Sequence, residues 1–132
     1  MKYLCLGYIE PEKFEVMTED EQHAMLDECF EYNDHLRASG HVVAEVPLQP
    51  PETAVTLYWK KGKVATTDGP YAESKEQLGG LHVLEARDLN HAIQLMSKHP
   101  GMKCGTMEIR PVVDLSEVKK ESDRRRRKDT SR

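Results

Sequence analysis

Apolar and polar positions alternate from Lys2 to Ile9, with Leu4, Leu6 and Tyr8 on one face and Tyr3, Cys5 and Ile9 on the other. Both faces are apolar, so the pattern predicts a central strand covered on both sides. The period then changes. Thr18-Glu19-Asp20-Glu21 matches a capping box, in which a hydroxyl and a carboxylate satisfy the unpaired N–H groups at a helix start. A helix is predicted from there to about Ser39, burying Met25, Leu26, Cys29, Phe30 and Leu36, with Gly40 as its left-handed stop.

His41 to Leu48 reads as a second strand, ended by Pro47 and by Pro50-Pro51. Thr53–Trp59 and Lys63–Thr67 flank Lys60-Lys61-Gly62, a hairpin signal. A polar stretch from Asp68 to Gly80 leads to a strand over Leu81–Ala86. Asp88 then caps a helix in which Leu89, Ala92, Ile93 and Met96 recur at helical spacing, and Pro100-Gly101 ends it. The last strand, about Cys104 to Val113, carries Met107, Ile109 and Val113 on one face and Thr106, Glu108 and Arg110 on the other. With the hairpin set aside as an insertion, the order is βαββαβ. That order predicts an α+β, ferredoxin-like fold with two helices on one face of an antiparallel sheet. The uncovered face is apolar enough to pack on a second copy, so a homodimer in the form of a dimeric α/β barrel is expected.

Composition narrows the function classes. The 132 residues suit one domain, and no apolar run approaches the ~18 residues of a membrane span. Met1 to Ile9 is too short, and too soon followed by charge, for a secretory segment. Cys5, Cys29 and Cys104 are odd in number and far apart, and each lies in an apolar segment. Buried free thiols in a reducing, cytoplasmic setting explain them better than a disulfide or a metal site. The net charge of -4 is unevenly divided: residues 116–132 hold eight basic and four acidic residues, which leaves 11 basic and 19 acidic in residues 1–115. An acidic globular domain with a basic, disordered tail is a poor candidate for nucleic-acid binding, because phosphate contacts need a basic surface on the fold itself.

The connection Asp68-Gly69-Pro70-Tyr71-Ala72-Glu73-Ser74-Lys75-Glu76-Gln77-Leu78-Gly79-Gly80 is more polar and more glycine-punctuated than a loop requires. Asp-Gly-Pro sets a turn, and the paired glycines admit a close approach of backbone or ligand. This run, continuing into Leu81-His82-Val83-Leu84-Glu85-Ala86, resembles the signature of the YCII-related proteins of the DGPF subgroup, with Tyr71 in place of the motif's Phe. Leu48-Gln49-Pro50-Pro51 and Glu108-Ile109-Arg110-Pro111-Val112 extend the resemblance over residues 1–115. It implies the dimeric ferredoxin-like fold and relatives that include isomerases, dehydrochlorinase-like enzymes and proteins with no known activity. It also implies association with extracytoplasmic-function sigma factors, and hence a non-catalytic regulatory role as the alternative to catalysis. In shorter relatives an active site is proposed from a His early in the first helix and an Asp-Pro after the second. Here His23 lies near the first position, and the second reads His99-Pro100, without the carboxylate.

Candidate chemistry centres on the motif. His82 lies mid-strand just after it and shares a face with Leu84 and Ala86. If that face lines a pocket at the dimer interface, His82 is a general acid–base group near neutral pH, with Asp68 as base or ligand anchor. Asp68 before Gly-Pro is more often a turn former. Tyr71, Glu73, Lys75 and Glu76 either line the mouth of that pocket or form a solvated loop. Arg110 either binds the carboxylate of a small organic acid or pairs with Glu108, two residues away on the same face. The histidines show no zinc-ligand spacing, and no phosphate-binding glycine loop or nucleophile elbow is present. The expectation is therefore a small-molecule-binding protein, a lyase or isomerase needing no cofactor or metal.

Overall fold

A computed structural model describes residues 1–130. In chain order the elements are β1 (Lys2–Ile9), α1 (Pro11–Glu15), α2 (Glu19–Ala38), β2 (Val42–Pro47), β3 (Val55–Lys60), β4 (Lys63–Asp68), β5 (Gln77–Glu85), α3 (Leu89–Ser97), β6 (Gly105–Pro111) and α4 (Ser116–Thr130), with short 3-10 turns at Pro51–Thr53 and Pro100–Lys103. Strand β1 pairs antiparallel with both β5 and β6, which gives it the interior position that its two apolar faces require. The main sheet runs β2-β5-β1-β6 and all its pairings are antiparallel. With the hairpin left out, this is the ferredoxin-like strand order expected from βαββαβ.

The local signals act as predicted at several points. Glu21 N–H donates to the Thr18 hydroxyl and Thr18 N–H to the Glu21 carboxylate, each at 3.2 Å, so the capping box is complete. Gly40, at φ +80°, ends α2. Asp88 accepts from His91 N–H at 2.8 Å and caps α3. Lys61 and Gly62 both have positive φ and close the β3–β4 hairpin in the turn that suits strand twist.

The core lies between the sheet and helices α2 and α3. Tyr3, Cys5 and Leu84 from the sheet meet Leu36 of α2 and Ala92 and Met96 of α3, all essentially sealed from solvent. The other face carries Leu4, Leu6, Leu81 and Val83, which remain partly exposed. Strands β3 and β4 pair only with each other, as a separate two-stranded sheet whose Leu57 and Trp59 are exposed.

Three expectations need correction. Helix α2 buries only Leu36 fully, while Leu26 and Phe30 stay exposed, because the helix packs on β2 and on the Pro100–Lys103 turn and not along the whole sheet. Strand β5 begins at Gln77 and not at Leu81, so Gly79 and Gly80 belong to the ladder. A Cβ on Gly79 would lie 2.9 Å from the Ile9 side chain, and one on Gly80 would lie 3.1 Å from the Val46 carbonyl oxygen. The glycines thus serve close strand approach. The tail expected to be disordered is helical over Ser116–Thr130, held by ion pairs three or four residues apart: Lys119 with Asp123, Lys120 with Glu117, and Arg126 with Asp123.

Candidate functional site

The sheet places one ionisable cluster under the helices. Because side chains alternate across a strand, directly paired residues share a face. Cys5 of β1 pairs with His82 of β5 on one side and with Ile109 of β6 on the other, and Glu45 of β2 pairs with His82. Cys5 is completely buried in the core, so His82 and Glu45 also point toward the helices. There α2 supplies Asn33, and the turn after α3 supplies His99.

A single amide oxygen joins the two imidazoles. His82 Nε2–H donates to Asn33 Oδ1 at 3.2 Å, and His99 Nε2–H donates to the same oxygen at 2.9 Å. Gly101 N–H donates to His99 Nδ1 at 3.0 Å. Both nitrogens of His99 are therefore committed to the neutral ring, with the proton on Nε2. The rings of His82 and His99 meet edge-on with centroids 5.4 Å apart, and Tyr32 also lies edge-on to His99 at 5.6 Å. The Tyr32 hydroxyl donates to the Leu95 carbonyl and ties α2 to α3.

The electrostatics follow from burial. His99 is only 8% exposed, and burial, reinforced by the neighbouring His82, pushes its pKa down to about 4, against the opposing charge of Glu45. Burial also lowers the pKa of His82, again opposed by Glu45. Burial thus favours the uncharged ring at both histidines. His82 is the outer of the two and half-buried, and its Nδ1 has no partner among the described residues. Glu45 Oε1 is 2.9 Å from Arg37, whereas its Oε2 is sealed from solvent without a hydrogen-bond partner.

The residues anticipated from the sequence are scattered relative to this cluster. Asp68 lies at the exposed end of β4, in the hairpin's own sheet. Tyr71 is 93% exposed, and Glu73 and Lys75 are exposed beside it. Glu76 is half-buried and accepts from the Thr106 hydroxyl at 2.9 Å. Lys75 and Glu76 do come together, with Tyr8, Glu10 and Ser74, around an open surface cleft. Arg110 is ion-paired with Glu108. It sits opposite Leu4 in the ladder, while His82 sits opposite Cys5, so the two point to opposite faces of the sheet. His82, Asp68 and Arg110 therefore do not converge, and the face bearing His82 is the helix-covered one, not the open one. His23, 65% exposed and 4.0 Å from Glu19, is ten residues along α2 from Asn33, roughly 15 Å of helix.

Asn33 and Glu45 escaped the sequence reading. A weak signal was there: Asn is a poor mid-helix residue, and Glu45 interrupts the apolar run Val42-Val43-Ala44-Glu45-Val46. Among the described residues no group of three or more His, Cys, Asp or Glu side chains is placed to hold a metal ion. The three cysteines are free, and burial raises the Cys5 thiol to about 11.

The sequence matches the YCII-related domain over residues 1–116. The chain belongs to the YCII-related family. A relative, an uncharacterized protein of Rhizobium meliloti (strain 1021), is 26% identical over 116 residues, covering 85% of this chain and 92% of that protein. Among solved structures, the 5-chloro-2-hydroxyhydroquinone dehydrochlorinase TftG of Burkholderia phenoliruptrix AC1100, determined with 2,5-dihydroxybenzoquinone, aligns at a TM-score of 0.49 and 16% identity over 86% of this chain and 94% of that one. No helix among the described residues is long and apolar enough to cross a membrane.

Proposed function

We propose that this YCII-related protein binds a small organic molecule on the helix side of its sheet and exchanges a proton with it through His82, without a cofactor. The observation that carries this reading is the shared Asn33 oxygen. By accepting from His82 Nε2–H it fixes the ring and leaves the Nδ1 lone pair unengaged, on a ring kept neutral by burial. A fixed, neutral imidazole with one free nitrogen is the arrangement a general base requires. His99 holds the other side of Asn33 and stays neutral, so its part is orientation. The ligand class that fits is a small acid or phenol able to give up a proton, and isomerisation or elimination are the reactions a lone base of this kind serves.

Asp68 and Arg110 have no place in this site, because the fold directs them elsewhere. Lys75 and Glu76 belong to the separate cleft beside the motif loop. We assign the chain to the DGPF-type subgroup on the Asp68-Gly69-Pro70-Tyr71 run alone. We further propose that a second copy covers Leu4, Leu6, Leu81 and Val83, an apolar face that α2 and α3 leave open. The free thiols suit a reducing, cytoplasmic setting. No observation among the described residues favours a sigma-factor partner.

The test is NMR of the imidazole resonances during titration with pyruvate, acetoacetate and catechol. The expected result is a saturable shift of the His82 signals with at least one of these, lost in His82→Gln. If none of the three moves His82 at millimolar concentration while the protein stays folded, the reading is wrong.

A further inference from the structure

We propose that Glu45 is the positioning residue for the proton on His82: its carboxylate, held from behind by Arg37, receives the positive charge that His82 acquires on protonation. This deepens the proposed function and rests on His82 as the base. Three features of the structure carry it. First, Glu45 and His82 are direct cross-strand partners on the helix-facing side of β2 and β5. Directly opposed Cβ atoms lie about 5 Å apart. Second, Glu45 Oε2 is sealed from solvent and has no hydrogen-bond partner. A buried carboxylate oxygen with no donor is costly unless some state of the molecule supplies one. Third, the neutral His82 ring offers that oxygen nothing. Its Nε2–H is given to Asn33, and its Nδ1 bears a lone pair, an acceptor like the carboxylate itself.

Protonation at Nδ1 changes the match. The ring becomes a cation with a second N–H, across the strand from an anion whose Oε2 is a spare acceptor sealed from solvent. The other groups around the ring do not compete for that charge. Asn33 from α2 is already an acceptor for Nε2–H, burial favours the neutral form of His99 from the turn after α3, the Tyr32 hydroxyl is given to the Leu95 carbonyl, and Cys5 from β1 is a buried thiol held well above its usual pKa. Arg37 is the nearby cation. It pairs with Glu45 at 2.9 Å and with Asp34 at 3.0 Å, and so limits how strongly Glu45 favours the imidazolium. The pair eases protonation of His82 against the larger opposing effect of burial, which favours a base that takes up a proton and then returns it.

The experiment is titration of His82 by NMR in the ligand-free protein and in two variants. Glu45→Gln keeps the shape and removes the charge, so the His82 titration should move to lower pH by on the order of one unit. Arg37→Gln removes the opposing cation, so the titration should move upward. Opposite displacements distinguish a charge effect from general loosening, which would move both toward the free-imidazole value. A Glu45→Gln titration that does not fall overturns the proposal, and so does an Arg37→Gln titration that does not rise. No ligand enters these measurements. Failure of organic ligands to bind, with both displacements present, would count against the proposed function and leave the Glu45–His82 coupling intact.

Discussion

Lowering the pH from 7 to 4.5 forces a choice on His99 that only the folded chain feels. In the fold its Nδ1 accepts from Gly101 N–H at 3.0 Å, and burial holds its pKa near 4, against 6.5 for a free imidazole. The unfolded chain therefore takes up the proton first. Stability from this group is complete above pH 6.5, declines as the pH falls toward 4, and is constant below that. The displacement of about 2.5 units corresponds to roughly 3 kcal/mol, and to about 2 kcal/mol once partial contact with water is allowed for. That is a large share of a small domain's 5–15 kcal/mol. Urea midpoints for the wild type and His99→Gln, measured from pH 7.5 to 4.5, isolate the effect, since all other carboxylates and imidazoles are common to both. The variant should be less stable at pH 7 and distinctly flatter in its pH dependence. Equal slopes for the two proteins would refute the assignment of a buried, neutral His99.

The other predictions concern packing and ends. Gly105→Ala should cost about 3 kcal/mol in chemical denaturation, since a Cβ there would lie 2.0 Å from the Tyr8 carbonyl oxygen and strands β1 and β6 would have to part. Thr18→Ala should cost about 1 kcal/mol by removing the acceptor for Glu21 N–H, again read from urea midpoints. Deleting residues 116–132 should leave the thermal midpoint of the domain unchanged and lower only the helical circular dichroism signal, because α4 is held by its own ion pairs; a large fall in the midpoint would show that it packs on the domain.

Much of the fold was legible in the chain because its signals are local. The alternation of Lys2–Ile9 demanded an interior strand, and β1 lies between β5 and β6. Thr18 and Glu21 marked the start of α2, Asp88 marked that of α3, and Lys60-Lys61-Gly62 marked the hairpin. Each of these depends on residues no more than a few positions apart, where backbone sterics and short hydrogen bonds decide the outcome. The pairing of Glu108 with Arg110 was legible for the same reason, as two residues on one strand face.

The site was not legible, because it is made by register and by packing. Asn33, Glu45, His82 and His99 come from α2, β2, β5 and the turn after α3. Nothing along the chain says that Asn33 will sit between two imidazoles 49 and 66 residues away. Nor does it say which face of β5 the helices will cover. A strand with apolar residues on both faces leaves that choice to the whole assembly, and a single step of register would turn His82 to the opposite side. The sequence by itself thus determined the βαββαβ elements, their order and the family, but neither α1 nor α4. The tertiary structure decided that His82 faces the helices and not the open sheet, that Asp68 and Arg110 lie elsewhere, and that Glu45 keeps a buried, unpartnered oxygen, because only close packing can bring distant polar groups together and exclude water from between them.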